Sequence, residues 1–161
     1  MSTYQLILVP EMVTSEARRT RSSPGYGHPV HKDLAGGYGP CRQCLKFFEP
    51  EQDRRLLMTY DAFHQLDADP LPGPIYIHAE RCDPYPTDGG IPHWLFKNPL
   101  TLLAFRHGQI PVVQARIEAG GNDSVIGDLL ARPDVDYVQV RDGVAGCSTF
   151  SVTRSHDQKP G

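Results

Sequence analysis

The fold is decided by residues 100–118, which read LTLLAFRHGQIPVVQARIE. Two apolar stretches, Leu100–Arg106 and Pro111–Glu118, flank the four residues HGQI, whose glycine suits a tight turn. The pattern predicts a β-hairpin, and Gly120 and Gly121 end its second strand. Because a hairpin pairs its strands in opposite directions, this segment favours an antiparallel sheet.

The rest of the chain adds one clear helix and further short strands around the hairpin. Asn122 or Asp123 can cap a helix whose apolar residues recur at helical spacing from Val125 to Leu130, and Pro133 follows its end. The other predicted strands are residues 4–9, 41–48, 55–60, 75–79, 135–140 and 147–153, with a turn of helix at residues 12–19. The sequence therefore predicts a single α+β domain over residues 1–155, with a mostly antiparallel sheet of about six to seven strands and one or two helices.

Two long segments rich in glycine and proline interrupt this pattern, at residues 22–40 and 81–99. Neither shows the apolar periodicity of a regular element, and loops longer than about 15 residues are usually functional or disordered. Since loops carried on a rigid sheet often hold binding or catalytic residues, we expect these two to border a site. The polar residues 156–161 predict a flexible tail.

The composition limits the classes of function. Apolar residues make up 39% and charged residues 22% of the chain, and the formal net charge is −3. These values argue against a coiled coil, a collagen-like chain or a nucleic-acid-binding protein that relies on overall positive charge. No apolar run approaches the roughly 20 residues of a membrane-spanning helix, and the N-terminal residues lack a secretory signal. The sequence therefore predicts a cytoplasmic protein without membrane contact, whose cysteines are reduced.

Two short motifs carry the chemistry: PCRQC at residues 40–44 and HAE at residues 78–80. Together they resemble the two halves of the zinc-dependent nucleobase deaminase signature, in which H-x-E precedes P-C-x-x-C and each half opens a helix. Here the order is reversed and neither half begins a clear helical pattern. The sequence therefore argues against a deaminase.

A looser zinc site is an open alternative. Cys41, Cys44, His78 and Cys82 give the spacing C-x2-C…H-x3-C, with four ligands that suit tetrahedral zinc. In a regular strand over residues 41–48, however, Cys41 and Cys44 would point to opposite faces, and chelation would need a tight turn instead. The interpretation that the sequence favours is therefore two half-buried thiols and a strand-end histidine, with no metal and no cofactor. Cysteine-dependent catalysis stays open as well, with Cys41, His78 and Glu80 as the candidate catalytic residues.

Three segments carry a resemblance to a known family: PCR at residues 40–42, PIYIHAERC at residues 74–82 and GC at residues 146–147. Over residues 37–153 the chain resembles the bacterial family called domain of unknown function 1203. The resemblance implies a small soluble bacterial protein and no particular reaction. Members of that family often lack a cysteine at the position of Cys44, which weighs against a four-ligand zinc site. The packed or functional set that the resemblance favours instead is Cys41, Arg42, His78, Glu80 and Cys147.

Three hypotheses for the function follow. The first is a small-ligand-binding domain with a pocket near Cys41/Arg42 and His78/Glu80, in which Arg42, Tyr76 and Trp94 are the candidate ligand-binding residues. The second is a zinc-binding or cysteine-dependent enzyme that uses the cysteines and the histidine named above. The third is a homodimeric interaction module, in which the aromatic segment around Trp94 forms the contact.

Overall fold

The computed structural model describes residues 3–37, 39–144 and 146–155. Within them the chain forms eight strands, two α-helices and one 3-10 helix. The strands are β1 (Tyr4–Ile7), β2 (His31–Leu34), β3 (Arg54–Asp61), β4 (Pro72–His78), β5 (Leu100–Arg106), β6 (Ile110–Ile117), β7 (Tyr137–Asp142) and β8 (Ser148–Arg154). The helices are α1 (Glu11–Thr20), α2 (Ser124–Leu130) and the 3-10 helix His93–Lys97. The strands pair antiparallel in two sheets, which confirms the predicted α+β class.

The chain divides into two compact units. The first, which we call the five-stranded unit, contains the described residues of 3–7, 63–69 and 86–155. The second, which we call the three-stranded unit, contains the described residues of Leu8–Ala62 and Pro70–Tyr85. The prediction of one domain over residues 1–155 stays a prediction, and the predicted tail at residues 156–161 lies outside the described residues.

The sheet of the five-stranded unit has the order β1-β8-β7-β5-β6. The predicted hairpin is confirmed, since β5 pairs with β6 across the turn at residues 107–109. Apolar residues at alternate positions line one face of the sheet, because successive side chains of a strand point to opposite faces. The buried members on this face include Leu102, Ala104, Val138, Val140, Phe150 and Val152.

The sheet of the three-stranded unit has the order β2-β3-β4. One face buries Leu56 and Met58 of β3 opposite Ile77 and Ile75 of β4. This face belongs to a core that also contains Ala17 of α1 and, from loops, Val9, Val30, Ala35, Cys41, Cys44 and Phe48. Two of the four cysteines are therefore core residues.

Residues 41–48 do not form the predicted strand. Leu45 adopts a left-handed backbone conformation with φ of 62°. Its N–H donates to the Cys41 carbonyl at 2.9 Å, and the Cys41 N–H donates to the Lys46 carbonyl at 3.0 Å. These bonds close a tight turn within the chain, so the segment cannot pair as a strand.

Both predicted loops contain short regular elements. Strand β2 lies inside the first, and all four of its residues are exposed, so no apolar alternation marks it in the sequence. The 3-10 helix His93–Lys97 lies inside the second. None of the helices in the described part of the chain is long and apolar enough to cross a membrane.

Candidate metal centre

Four side chains of the three-stranded unit converge on one point: Cys41, Cys44, His78 and Cys82. Their ligand atoms all lie within 4.8 Å of one another. We call this group the Cys3His cluster. Cys41 and Cys44 are buried, whereas Cys82 and His78 are partly exposed, so the cluster lies at the margin of the core.

The turn after Pro40 brings the first two cysteines together. Two backbone hydrogen bonds close the turn: the Leu45 N–H donates to the Cys41 carbonyl, and the Cys41 N–H donates to the Lys46 carbonyl. Because the backbone turns here instead of extending as a strand, the two cysteine side chains need not point to opposite faces, and both sulfurs can point the same way. The Arg42 N–H anchors the turn by donating to the Tyr76 carbonyl of β4 at 3.0 Å. The structure therefore supplies the tight turn that a chelating C-x2-C pair requires.

The end of β4 supplies the other two members. The strand stops at His78, the chain bends at residues 79–80, and Cys82 follows in irregular backbone. Because β4 ends at His78, the residues His78, Glu80 and Cys82 do not share one strand face. The Gln43 side-chain amide donates to the Cys82 carbonyl in this irregular segment at 3.1 Å.

The imidazole of His78 is held on three sides. Its Nδ1 lies 3.5 Å from the Cys44 Sγ, and its Nε2 lies 3.7 Å from an Asp53 carboxylate oxygen. The Phe48 ring packs against it with centroids 4.6 Å apart. A carboxylate behind a histidine nitrogen is the usual arrangement around metal-binding histidines, because it orients the ring and raises its basicity.

Two of the sulfurs accept hydrogen bonds from groups other than the four ligand side chains. The His78 backbone N–H donates to the Cys41 Sγ at 3.3 Å, and the Arg18 guanidinium donates to the Cys82 Sγ at 3.7 Å. Arg18 also donates to the His78 carbonyl at 3.1 Å, so α1 is tied to the end of β4. These contacts orient the Cys41 and Cys82 side chains, and the thiolate is the form of cysteine that binds metals.

Proton sharing within the cluster shifts three pKa values. Hydrogen bonds with Cys44 and Cys82 lower the pKa of the Cys41 thiol, against the effect of its burial. Hydrogen bonds with Cys41 and Cys82 raise the pKa of the Cys44 thiol. Hydrogen bonds with the same two sulfurs raise the pKa of His78 to about 10. A divalent cation that binds the four groups would displace their protons.

The remaining candidate residues do not join the Cys3His cluster. Glu80 is exposed on the bend after β4. Arg42 is buried and donates from its guanidinium to the Pro40 carbonyl at 2.6 Å. The ring of Tyr76 lies under the Arg55 guanidinium, 3.8 Å from the ring centroid. Trp94 belongs to the 3-10 helix of the five-stranded unit.

Neither of the two sequence motifs begins a helix. His78 is the last residue of β4, and Cys41 and Cys44 lie in a turn, so neither motif opens a helix. Sequence reasoning missed Arg18 and Asp53, which contact the Cys3His cluster. Their positions, 60 and 25 residues before His78, carry no motif that would mark them.

Asp53 offers a test of how the cluster is supported. In the wild type the Asp53 carboxylate accepts a hydrogen bond from the Glu49 N–H at 2.7 Å. In Asp53→Asn the amide oxygen can still accept this bond, but the negative charge that faces His78 is lost. Mutation of such an outer partner typically costs about 10–100-fold in metal affinity. We expect a loss of zinc affinity in that range, measured by competition with a chelating dye.

The matched control is Asp33→Asn, which removes an exposed carboxylate of the same unit that pairs with Arg55. We expect its zinc affinity to equal that of the wild type. Equal affinities for all three proteins would show that Asp53 does not support the His78 ring.

A comparison with protein families identifies the family of the chain. The family model described as Protein of unknown function (DUF1203) matches residues 38–154, a range that contains the whole Cys3His cluster. No curated protein and no solved structure matches the chain.

Proposed function

Because the chain belongs to the DUF1203 family, whose description states no activity, we propose a function from the site: the protein binds one zinc ion through Cys41, Cys44, His78 and Cys82. The ion joins the turn after Pro40 to the end of β4. The proposed role of the zinc is structural: the ion stabilises the folded arrangement of these two segments in the three-stranded unit.

The distances within the Cys3His cluster carry the proposal. Around tetrahedral zinc, with Zn–S of about 2.3 Å and Zn–N of about 2.0–2.1 Å, two sulfurs lie about 3.8 Å apart and a sulfur and a nitrogen about 3.6 Å apart. The Cys41 and Cys82 sulfurs are 3.8 Å apart, and the Cys44 sulfur is 3.5 Å from the His78 Nδ1. Both pairs therefore already have the separation of zinc ligands.

The ligand types select the metal class. Three thiolates and an imidazole suit zinc, whereas magnesium and calcium require oxygen ligands. Three thiolates, a neutral imidazole and Zn²⁺ together carry one negative charge. The Arg18 guanidinium beside the Cys82 sulfur supplies the compensating positive charge.

The number of ligands favours a structural role over a catalytic one. Catalytic zinc sites keep one position open for water or substrate, whereas four protein ligands fill a tetrahedron. The acidic residue nearest in sequence to His78, Glu80, is exposed and outside the Cys3His cluster. A reducing, cytoplasmic location suits this centre, because its thiolate ligands must stay reduced.

The first test is metal content combined with local stability. Protein purified without chelator from zinc-supplemented cells should contain about one zinc per chain. Removal of the zinc with a chelator should speed amide hydrogen exchange at the turn after Pro40 and at the end of β4, and leave the β5–β7 ladder of the five-stranded unit protected.

Two results would contradict the proposal. One is a protein that takes up no zinc after incubation with the metal. The other is a zinc-loaded protein whose exchange pattern does not respond to the chelator. The second result would leave a bound ion without the proposed structural role.

A further inference from the structure

The three cysteine residues of the Cys3His cluster differ in their exposure to solvent. Cys41 has 0% and Cys44 has 6% of its surface exposed, whereas Cys82 is partly exposed. A small oxidant arriving from solvent therefore meets Cys82 first. Susceptibility of a cysteine to oxidation follows its exposure and its thiolate character.

The surroundings of Cys82 suit oxidation followed by disulfide formation. The Arg18 guanidinium lies 3.7 Å from its sulfur and donates a hydrogen bond to it. The Cys41 sulfur lies 3.8 Å from the Cys82 sulfur. Cysteines that sense oxidants are typically accessible thiolates beside a second cysteine that can resolve the first oxidation product.

The backbone around Cys82 allows the remaining approach. A disulfide requires a sulfur–sulfur distance of about 2.05 Å, so the two sulfurs must close by about 1.8 Å. Cys82 lies in irregular backbone beyond the end of β4, outside the hydrogen-bonded ladder of the sheet. A shift of that size therefore breaks no strand pairing.

We propose that the zinc centre is a peroxide-sensitive switch, in which Cys82 and Cys41 form a disulfide and the zinc is released. The inference rests on the proposed function, since it assigns a regulation to the same site. The disulfide would remove two of the four ligands and leave Cys44 and His78, which cannot complete a tetrahedral site.

One hydrogen peroxide molecule oxidises the two thiolates to the disulfide in two steps. The Cys82 thiolate attacks one peroxide oxygen, so that an S–O bond forms, the O–O bond breaks and the departing hydroxide takes a proton to become water. The Cys41 thiolate then attacks the Cys82 sulfur, so that the S–S bond forms, the S–O bond breaks and a second water leaves after protonation. Two thiolates, one peroxide and two protons from solvent give one disulfide and two waters, with two electrons passing from sulfur to oxygen.

The experiment uses the full chain with the substitution Cys147→Ser, which removes the exposed cysteine outside the Cys3His cluster. The zinc-loaded protein is treated with hydrogen peroxide, released zinc is followed with a chelating dye, and disulfides are mapped by mass spectrometry. We expect one zinc released and one Cys41–Cys82 disulfide per chain, with Cys44 still a free thiol. A thiol reductant with added zinc should restore the starting protein.

The outcomes separate the two proposals. A protein that holds one zinc and keeps it during peroxide treatment overturns the switch and leaves the proposed zinc site standing. Release of zinc with a Cys41–Cys44 disulfide, or with higher oxides of sulfur alone, also overturns the switch, because Cys82 is then not joined to Cys41. A protein that takes up no zinc at the start overturns the proposed function, and the switch with it.

Discussion

Replacing Cys41 with serine should lower the zinc content from about one ion per chain to nearly none. Cys41 is fully buried and close to each of the other ligand atoms, so no water can take its place without entering the core. A ligand present at about 1,000 times its dissociation constant stabilises the folded state by about 4 kcal/mol. We therefore expect Cys41→Ser to lose at least about that much in free energy of unfolding when zinc is present, as measured by denaturant titration.

Two controls separate the metal from the side chain. Cys147→Ser changes an exposed cysteine and should keep both the zinc and the free energy of unfolding, within about 0.5 kcal/mol. After chelator treatment, the wild type and Cys41→Ser should differ by no more than about 3 kcal/mol, the cost of placing a hydroxyl in the apolar core. A Cys41→Ser protein that keeps a full zinc ion would contradict the assignment of this ligand.

The second large effect is expected at Phe105 in the five-stranded unit. Phe105 is 6% exposed, and its ring stacks on Tyr137 with centroids 5.3 Å apart. The Phe63 ring packs edge-on against the Phe105 ring, with centroids 5.5 Å apart. Truncating a buried phenylalanine to alanine removes apolar contacts and leaves a cavity, which costs about 3–5 kcal/mol. We expect Phe105→Ala to lower the free energy of unfolding by that amount.

The matched variant is Phe105→Leu, which keeps most of the buried volume and should cost clearly less than Phe105→Ala. Thermal unfolding should show the same order, because 1 kcal/mol corresponds to about 2–4 °C for a chain of this size. If alanine costs less than about 1 kcal/mol, the three rings do not form the packed cluster that the structure shows.

The sequence predicts an element well where its pattern is local. The β5–β6 hairpin follows from two apolar stretches on either side of a glycine turn, and the structure confirms it. Strand β2 could not be found this way, because its four residues are all exposed and the strand is defined by its pairing with β3. Pairing partners distant in the chain leave no periodicity of their own.

The candidate site was only partly predictable for a similar reason. Residue type and spacing suffice to name Cys41, Cys44, His78 and Cys82 as a ligand set, which the sequence left as an alternative. Their convergence depends on the left-handed conformation of Leu45, a residue type that gives no signal for such a turn. It also depends on the early end of β4. The supporting roles of Arg18 and Asp53 arise from tertiary contacts alone.

The coordination of the metal tests the central proposal most directly. X-ray absorption at the zinc edge of the purified protein reports the number and type of ligand atoms around the ion. The account predicts three sulfurs at about 2.3 Å and one nitrogen at about 2.0–2.1 Å, with no further oxygen ligand. Zinc surrounded by oxygen and nitrogen alone, or with fewer than three sulfurs, would contradict the assignment of the Cys3His cluster as a closed structural zinc site.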